Sequence, residues 1–411
     1  MSSEAPPRPA AKPPLVRPSI LDRPLTSYHL LVGCTALLLA LGLVMVLSAS
    51  SVEAYRATGD SLSIFQKQAM WAAVGVPAMW VTSRMPVRWL RRLAIPLLLG
   101  AIGLLCLVLV PHVGISVNGN RNWISFGGPF RVQPSEAAKL ALVVWSADLL
   151  ARKERLLVQW RYLLLPLLPV SGLLVGLVLL ENDLGTDIVL MGVVVAVLFV
   201  VGAPARLFAV LGVGLASAVA LLSVTAPHRL DRFKSWLNPD ADYLGAGWQA
   251  VHARFALGSG GWWGLGLGAG REKWGDLPEA HTDFILAVIG EELGLIGTLA
   301  VVLLFGLMVY AGIRVALRSR DLFVRLAAAG AVAWLTTQAL VNMGAVLGLL
   351  PIAGVPLPLV SYGGSSLLPT LVALGMLVAF ARDEPGARAA LAARGPGPVS
   401  RTARRLRGRR A

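Results

Sequence analysis

The feature that most constrains this chain is a succession of apolar runs, each about 20 residues of Leu, Val, Ala and Gly, separated by short stretches that hold nearly all the charge. A helical run of that length matches the roughly 30 Å hydrocarbon core of a bilayer. The runs do not alternate apolar with polar residues, so they read as helices and not as barrel strands. At 56% hydrophobic and 14% charged residues, the composition lies outside that of a water-soluble globule. The expected fold is therefore an all-α polytopic membrane protein with about ten transmembrane helices.

The runs predict spans at about 27–49, 64–83, 91–110, 134–151, 162–180, 185–202, 205–224, 284–312, 325–349 and 365–382. With the N-terminus cytoplasmic, inner segments collect 26 of the 37 Lys and Arg residues, which favours both termini inside and an even number of spans. Residues 1–26 are Pro-rich and read as a disordered cytoplasmic segment, with span one an uncleaved signal-anchor. Residues 27–382 form the membrane domain, and 383–411 a basic disordered cytoplasmic tail. The net charge of +15 is first a topology signal. The tail suits anionic membrane lipids, at about 1 kcal/mol per charge near the surface, and nucleic acid is not an expected partner. Cys34 and Cys106 both lie within apolar runs, so neither a disulfide nor a cysteine metal site is expected.

Inner loops are short and basic, whereas the expected outer loops are long and carry mixed charge. They comprise "PHVGISVNGNRNWISFGGPFRVQPSEAAK", the corner "ENDLGTD", a large extracytoplasmic loop over 225–283 between spans seven and eight, and "GLLPIAGVPLPLVSYGGSS" before span ten. A proton-coupled transporter would place ionisable groups near the bilayer midplane. The bias seen here points to chemistry at the outer leaflet. The glycine-rich "GSGGWWGLGLGAG" lacks the βαβ context of a dinucleotide site, and its Trp262 and Trp263 suit a membrane interface.

The stretch "LPEAHTDFILAVIGEELG", Leu277 to Gly294, brings Glu279, His281, Asp283, Glu291 and Glu292 to the mouth and interior of span eight. A carboxylate at bilayer depth costs roughly 2.5–3.5 kcal/mol, so each needs a partner, a wet cavity or a task. Two readings of Asp283 stand open. It can cap span eight, as Thr282 also can, with Glu279 as a helix-dipole partner. Or it can take a proton from a hydroxyl nucleophile, an effect of about 10²–10⁴ in rate. Helical spacing sets Glu291 beneath Asp283, either lining the same cavity or pairing with a cation to hold the bundle.

Arg121, Arg131 and Lys139 are the cationic counterpart, suited to a phosphate or pyrophosphate in an outward cavity, although Lys139 also stands at i+3 from Glu136. Glu181, Asp183 and Asp187 group acids within one turn. That allows a divalent cation such as Mg²⁺ or Mn²⁺ without requiring one, and Asp183 equally suits an N-cap. Ser361, Tyr362, Ser365 and Ser366 surround a glycine pair in an irregular segment, tolerated at membrane depth against protein or a wet cavity.

Together "LPEAHTDFILAVIGEELG", "PLPLVSYGGSSLL", "NGNRNWISFGGPFRVQPSEAAKLAL", "DLGTD" and "RFKSWLNP" resemble the signatures of the SEDS family, the shape, elongation, division and sporulation proteins, in order from about residue 30 to 382. The match is nearer to the family's division branch than to its elongation branch. The resemblance implies a peptidoglycan glycosyltransferase that polymerises lipid II at the outer face of the bacterial cytoplasmic membrane. The family's essential Asp matches Asp283, which would deprotonate the C4 hydroxyl of the acceptor sugar for inverting attack on the donor's anomeric carbon. Arg121 and Lys139 would steady the departing undecaprenyl pyrophosphate. Glu279, His281, Glu291, Asp183, Ser361, Tyr362 and Ser365 complete the expected substrate contacts. Two departures are visible: Asn122 stands where the family has a second basic residue, and the family's "QPDLGT" reads "ENDLGT". The implied partners are a class B penicillin-binding protein acting as transpeptidase and other divisome proteins, at the division septum. The rival functions are a lipid II flippase, which needs a polar path through the inner half of the bundle, and a non-catalytic divisome scaffold that recruits a transpeptidase.

Overall fold

The computed structural model describes residues 23–117, 120–125, 127, 131–156, 160–225, 234–242, 245 and 247–393. Helices occupy all ten segments read as spans: α1 Thr26–Thr58, α2 Ser63–Thr82, α3 Val87–Leu109, α4 Pro134–Arg152, α5 Trp160–Leu180, α6 Leu184–Val201, α7 Ala205–Thr225, α9 Ile285–Arg318, α10 Leu322–Val346 and α11 Leu367–Arg382. Two shorter helices, α8 Trp248–Ser259 and α12 Ala387–Ala393, were not foreseen. Among the described residues, seven helices (α1, α3, α5, α6, α9, α10 and α11) are long and apolar enough to cross a membrane. The chain is thus a polytopic helical membrane protein, with seven candidate spans among the described residues by length and hydropathy alone.

Packing explains why α4 falls short of that measure. It lies against α3, α6 and α10, and all but a few of its side chains are buried within the protein. A helix surrounded by other helices can carry Glu136, Lys139 and Asp148, because protein partners replace lipid around it. Arg91 and Arg152 both hold Asp148, at 2.9 and 2.7 Å. Lipid-facing helices show the reverse pattern, with Leu99 on α3 and Leu165 on α5 exposed.

Helix connections at one end are short: 83–86, 202–204 and 319–321 link α2–α3, α6–α7 and α9–α10. The other end holds the long connections and a three-stranded antiparallel sheet, β1 Gly114–Val117, β2 Asn120–Ser125 and β3 Arg131–Val132, in the order β1-β2-β3. An all-α reading missed this sheet. Its strands are too short to show a period of two, and a register shift at Ile115/Ser116 breaks the alternation.

α9 is not one straight span. Gly294 has φ 68° and ψ −166°, a conformation open almost only to glycine, and a Cβ there would meet the backbone at Gly264 and Trp262. The kink leaves a short arm, Ile285 to Leu293, and a long arm of 24 residues from Leu295 to Arg318. At 1.5 Å per residue the long arm alone covers about 36 Å, enough for a bilayer. The segment read as a disordered tail begins differently from expectation. Glu384 is buried, with its carboxylate 3.9 Å from Arg314 of α9, and α12 follows, while 394–411 lie outside the described residues.

Candidate active site

Three successive carbonyls fix the turn that carries Asp283. Tyr362 N donates to His281 O at 2.9 Å, Ser361 Oγ to Thr282 O at 2.6 Å, and Asn342 Nδ2 to Asp283 O at 2.8 Å. Asn342 also donates to Val355 O at 2.8 Å, so one α10 side chain holds both the turn and the loop facing it. Ser361 Oγ accepts from Leu357 N at 2.8 Å, and Gln68 Nε2 of α2 donates to Ser361 O at 3.1 Å. At about 0.5–1.5 kcal/mol net for each bond, the clamp contributes modest stability but strong orientation.

The clamp holds the Asp283 backbone and leaves its carboxyl at the rim of a crevice. Phe284 is the N-cap residue of α9 and no side chain caps the helix, so the capping reading of Asp283 and Thr282 is set aside. Asp283 is half-buried, and the crevice it shares with Asn342, Gly354 and Val355 measures about 10 Å³, near the space one water needs. Gly354, at φ +69°, lets the opposite loop come close: a Cβ there would sit 3.8 Å from Asp283 Oδ2. His281 Nδ1 lies 3.2 Å from Glu53 Oε2 of α1, and its ring centroid is 5.5 Å from that of Tyr362. Glu279 shapes the turn from the left-handed region, φ 55°, with its carboxylate accepting from Thr282 Oγ1 at 2.6 Å.

The cations sit differently from expectation. Lys139 does not project into an open cavity: it is fully buried, its Nζ bonded to Glu136 Oε1 at 2.7 Å and Gln338 Oε1 at 2.9 Å, and 5.4 Å from the Trp334 ring centroid. Burying an ammonium demands such partners, and Glu136 stands one turn back to supply the charge. Lys139 still connects to the Asp283 turn through Gln338, whose Nε2 donates to Pro356 O at 2.9 Å, one residue from the carbonyl that Asn342 holds. Arg121 spends one guanidinium N–H on Val110 O at 2.8 Å, just past the end of α3. Arg131 reaches Tyr362 electrostatically: burial pushes that phenol up from its ordinary value, and the positive charge of Arg131 opposes the rise.

At the α5–α6 corner Asp183 caps α6, accepting from Thr186 N at 3.0 Å. Its other oxygen accepts from Gln133 Nε2 and from Thr186 Oγ1, each at 2.9 Å. Gln133 N donates to Ser365 Oγ at 3.0 Å, so the starts of α4, α6 and α11 meet through one glutamine. Glu181 is fully buried, and desolvation, with Asp183 and Asp187 nearby, pushes its carboxyl up to about 9. Among the described residues no group of three or more His, Cys, Asp or Glu is placed to hold a metal ion. Asp183 is thus committed to the cap and to Gln133, while Glu181 and Asp187 are buried beside it.

Glu291 and Glu292 do not share the crevice of Asp283. Asp283 precedes the helix, which removes the assumed helical phase, and both glutamates end the short arm of α9. Glu291 Oε1 accepts from Arg271 N at 2.6 Å, and Glu292 takes Lys273 Nζ at 2.7 Å and Ser48 Oγ of α1 at 2.8 Å. Gln68, Gln133, Gln338, Asn342 and Glu53 escaped the sequence reading. The available signal was the amide pair Gln338 and Asn342, four apart inside an otherwise apolar helix, where a polar group needs a reason.

Known proteins place this geometry. The sequence model of the FtsW/RodA/SpoVE family, described as cell cycle protein, matches residues 28–385. The chain is 44% identical to the probable peptidoglycan glycosyltransferase FtsW of Mycobacterium tuberculosis over 403 residues, 97% of this chain and 77% of that protein. It is 40% identical to stage V sporulation protein E of Bacillus subtilis over 354 residues, 86% of this chain and 96% of that one. Among solved structures, the rod shape determining protein RodA of Thermus thermophilus aligns with a TM-score of 0.64 at 33% identity, covering 87% of this chain and 97% of that one. A chain from a peptidoglycan synthase complex, in a study of how polymerisation and crosslinking are coordinated, aligns with a TM-score of 0.68 at 32% identity over 86% of this chain and 97% of its own length. A polar clamp at the long-loop end of a helical membrane bundle, and relatives that cover nearly the whole of it, lead to one conclusion: the chain belongs to the FtsW/RodA/SpoVE family of cell cycle proteins.

Proposed function

We propose that this protein polymerises lipid II into glycan strands at the outer face of the bacterial cytoplasmic membrane during cell division, with Asp283 as general base. The observation that carries the reading is the clamp on residues 281–283, which commits three carbonyls to hydrogen bonds and turns a carboxyl with no capping duty toward a crevice. A base held in one orientation takes the acceptor's C4 hydroxyl proton as that oxygen attacks the donor's anomeric carbon, and the sugar inverts as the diphosphate leaves. Arg121 and Arg131, on the sheet at the same end, steady the departing diphosphate. Lys139 acts from the interior, through Gln338 and the loop at Pro356.

Both termini are cytoplasmic in this reading, which sets the sheet and the clamp on the outer side at the division septum. A class B penicillin-binding protein is the proposed partner, supported by the likeness to a chain of a peptidoglycan synthase complex. Other divisome proteins complete the assembly. Purified wild type and Asp283→Asn, each with the cognate transpeptidase and lipid II, test the reading. Glycan strands from the wild type and none from the variant support it, and equal polymer from both removes Asp283 from the chemistry. Lipid II translocated without polymer points to a flippase.

A further inference from the structure

At the end of the bundle with the short connections, the α2–α3 turn carries a cationic patch that the candidate site does not use. Arg84 lies in the connection 83–86, and Arg88, Arg91 and Arg92 follow at the start of α3. Arg91 turns to Asp148, which Arg152 also holds. The other three are exposed, and among the described residues none of them has a carboxylate partner. Two are instead pinned over exposed tryptophans: Arg84 Cζ is 3.9 Å from the Trp80 ring centroid, and Arg92 Cζ is 5.0 Å from that of Trp89. Such cation–π contacts keep a guanidinium at the aromatic belt of a membrane interface. Arg382 Nη1 of α11 donates to Ser83 O at 3.2 Å and fastens the turn to the bundle.

Beside the patch both helices present apolar side chains outward. On α3, Arg88, Arg92, Ile95 and Leu99 recur at helical spacing on one face, and all four are exposed. They span about 16 Å, close to half of the roughly 30 Å hydrocarbon core and so to the depth of one leaflet. On α2, Trp80 and Val76 continue from Arg84 in the same order of cation, ring and aliphatic chain, and both are exposed. α2 packs on α1 and α11, and α3 packs on α4 and α5, so neither covers the exposed face of the other. Positive charge in inner loops is a topology signal by itself. Topology does not require the cations to lie on tryptophan rings, or to head a leaflet-long stripe of exposed aliphatic side chains.

We infer that the α2–α3 turn binds an anionic phospholipid of the inner leaflet, with its phosphate on Arg84, Arg88 and Arg92 and its acyl chains along Val76, Ile95 and Leu99. Guanidinium forks match phosphate oxygens, and the aliphatic stripe matches the chains that a soluble phosphate lacks. The inference needs only the orientation with both termini cytoplasmic. It is independent of the polymerase reading.

Native mass spectrometry of the delipidated full-length protein, titrated with phosphatidylglycerol or with phosphatidylcholine of the same chains, tests it. The wild type should bind one phosphatidylglycerol about tenfold more tightly than phosphatidylcholine, and the combined variant Arg84→Gln, Arg88→Gln, Arg92→Gln should lose that preference. A control that removes the same charge at the same end, Arg206→Gln, Arg320→Gln, Arg325→Gln, should keep the wild-type affinity within about twofold, because distant exposed charges are screened. Equal losses in the two combined variants, or no preference in the wild type, overturn the inference and leave inner-face charge with ordinary lipid around it. If the first variant also lowers the unfolding midpoint without lipid, Arg88→Gln decides, since it breaks no hydrogen bond or ion pair among the described residues. A loss of about fivefold supports the site, and an unchanged affinity overturns it. A diazirine-bearing phosphatidylglycerol should then label 76–81 and 88–99, and labelling confined to other helices overturns the placement.

Discussion

Asp283 and Glu292 lie nine residues apart in one stretch of sequence, and the fold treats them in opposite ways. Glu292 is fully buried with its side chain spent: Lys273 Nζ, Ser48 Oγ and Gly268 N all point at its carboxylate. Asp283 is half-buried with its backbone spent, and its carboxyl borders a crevice. An acid whose carboxylate is saturated by partners holds loops together. An acid whose main chain is hydrogen-bonded on the turn before a helix is held in place at its backbone. The same residue chemistry, in one hydrophobic segment, thus meets two settings: Glu292 deep among partners that tie loops together, and Asp283 at the rim of a crevice with its main chain held in place.

The sharpest way to break that comparison is to neutralise each acid. Asp283→Asn should cut glycan polymerisation by at least about 10²-fold, in the range lost with a general base, with the unfolding midpoint in detergent unmoved. Glu292→Gln should do the converse, lowering stability by about 3–5 kcal/mol because Lys273 is left buried and uncompensated. Chemical unfolding of both variants checks the pair, and a stable, inactive Glu292→Gln would erase the distinction. Asn342→Ala probes the hold on that backbone. It strips the donor from Asp283 O and Val355 O, and a shift of the turn by about 1 Å is enough for a loss near 10²-fold. The loss should fall on kcat more than on KM. A KM effect alone would make Asn342 part of the substrate surface.

How far the sequence reveals this division depends on what each residue contacts. The helices themselves were legible because apolar patterning at that length is a local property, and α4 was placed within a residue or two even though its burial is of another kind. The stretch around Asp283 was legible as a polar turn at the start of a span, and its resemblance to a family singled out the residue. Partners were not. Glu291 was assigned to the cavity by a helical phase that begins only at Ile285, and the break at Gly294 depends on a loop some 30 residues earlier meeting it in space. Of the two readings of Lys139, the pair with Glu136 was visible at i+3, whereas Gln338, 199 residues away, was not. Long-range amides such as Asn342 and Gln133 leave no periodic trace, and they decide where each acid is held.

Glu181 is the third kind of acid, and it extends the comparison. It is fully buried, neither carboxyl oxygen is hydrogen-bonded among the described residues, and desolvation first, then Asp183 and Asp187, pushes it from 4.5 up to about 9. The folded protein therefore binds a proton there that the unfolded chain releases above about 4.5. The linked stability is complete below that ordinary value and drains away as pH rises toward 9, so the slope of stability with pH is negative across the window. Glu181→Gln keeps the neutral shape and removes the titration. Unfolding midpoints in detergent taken from pH 5 to pH 9 should fall for the wild type and stay flatter for the variant, which becomes the more stable of the two at the alkaline end. Should the two curves run parallel, the proton is not held at Glu181, and the corner must satisfy its acids by a charge from outside the chain.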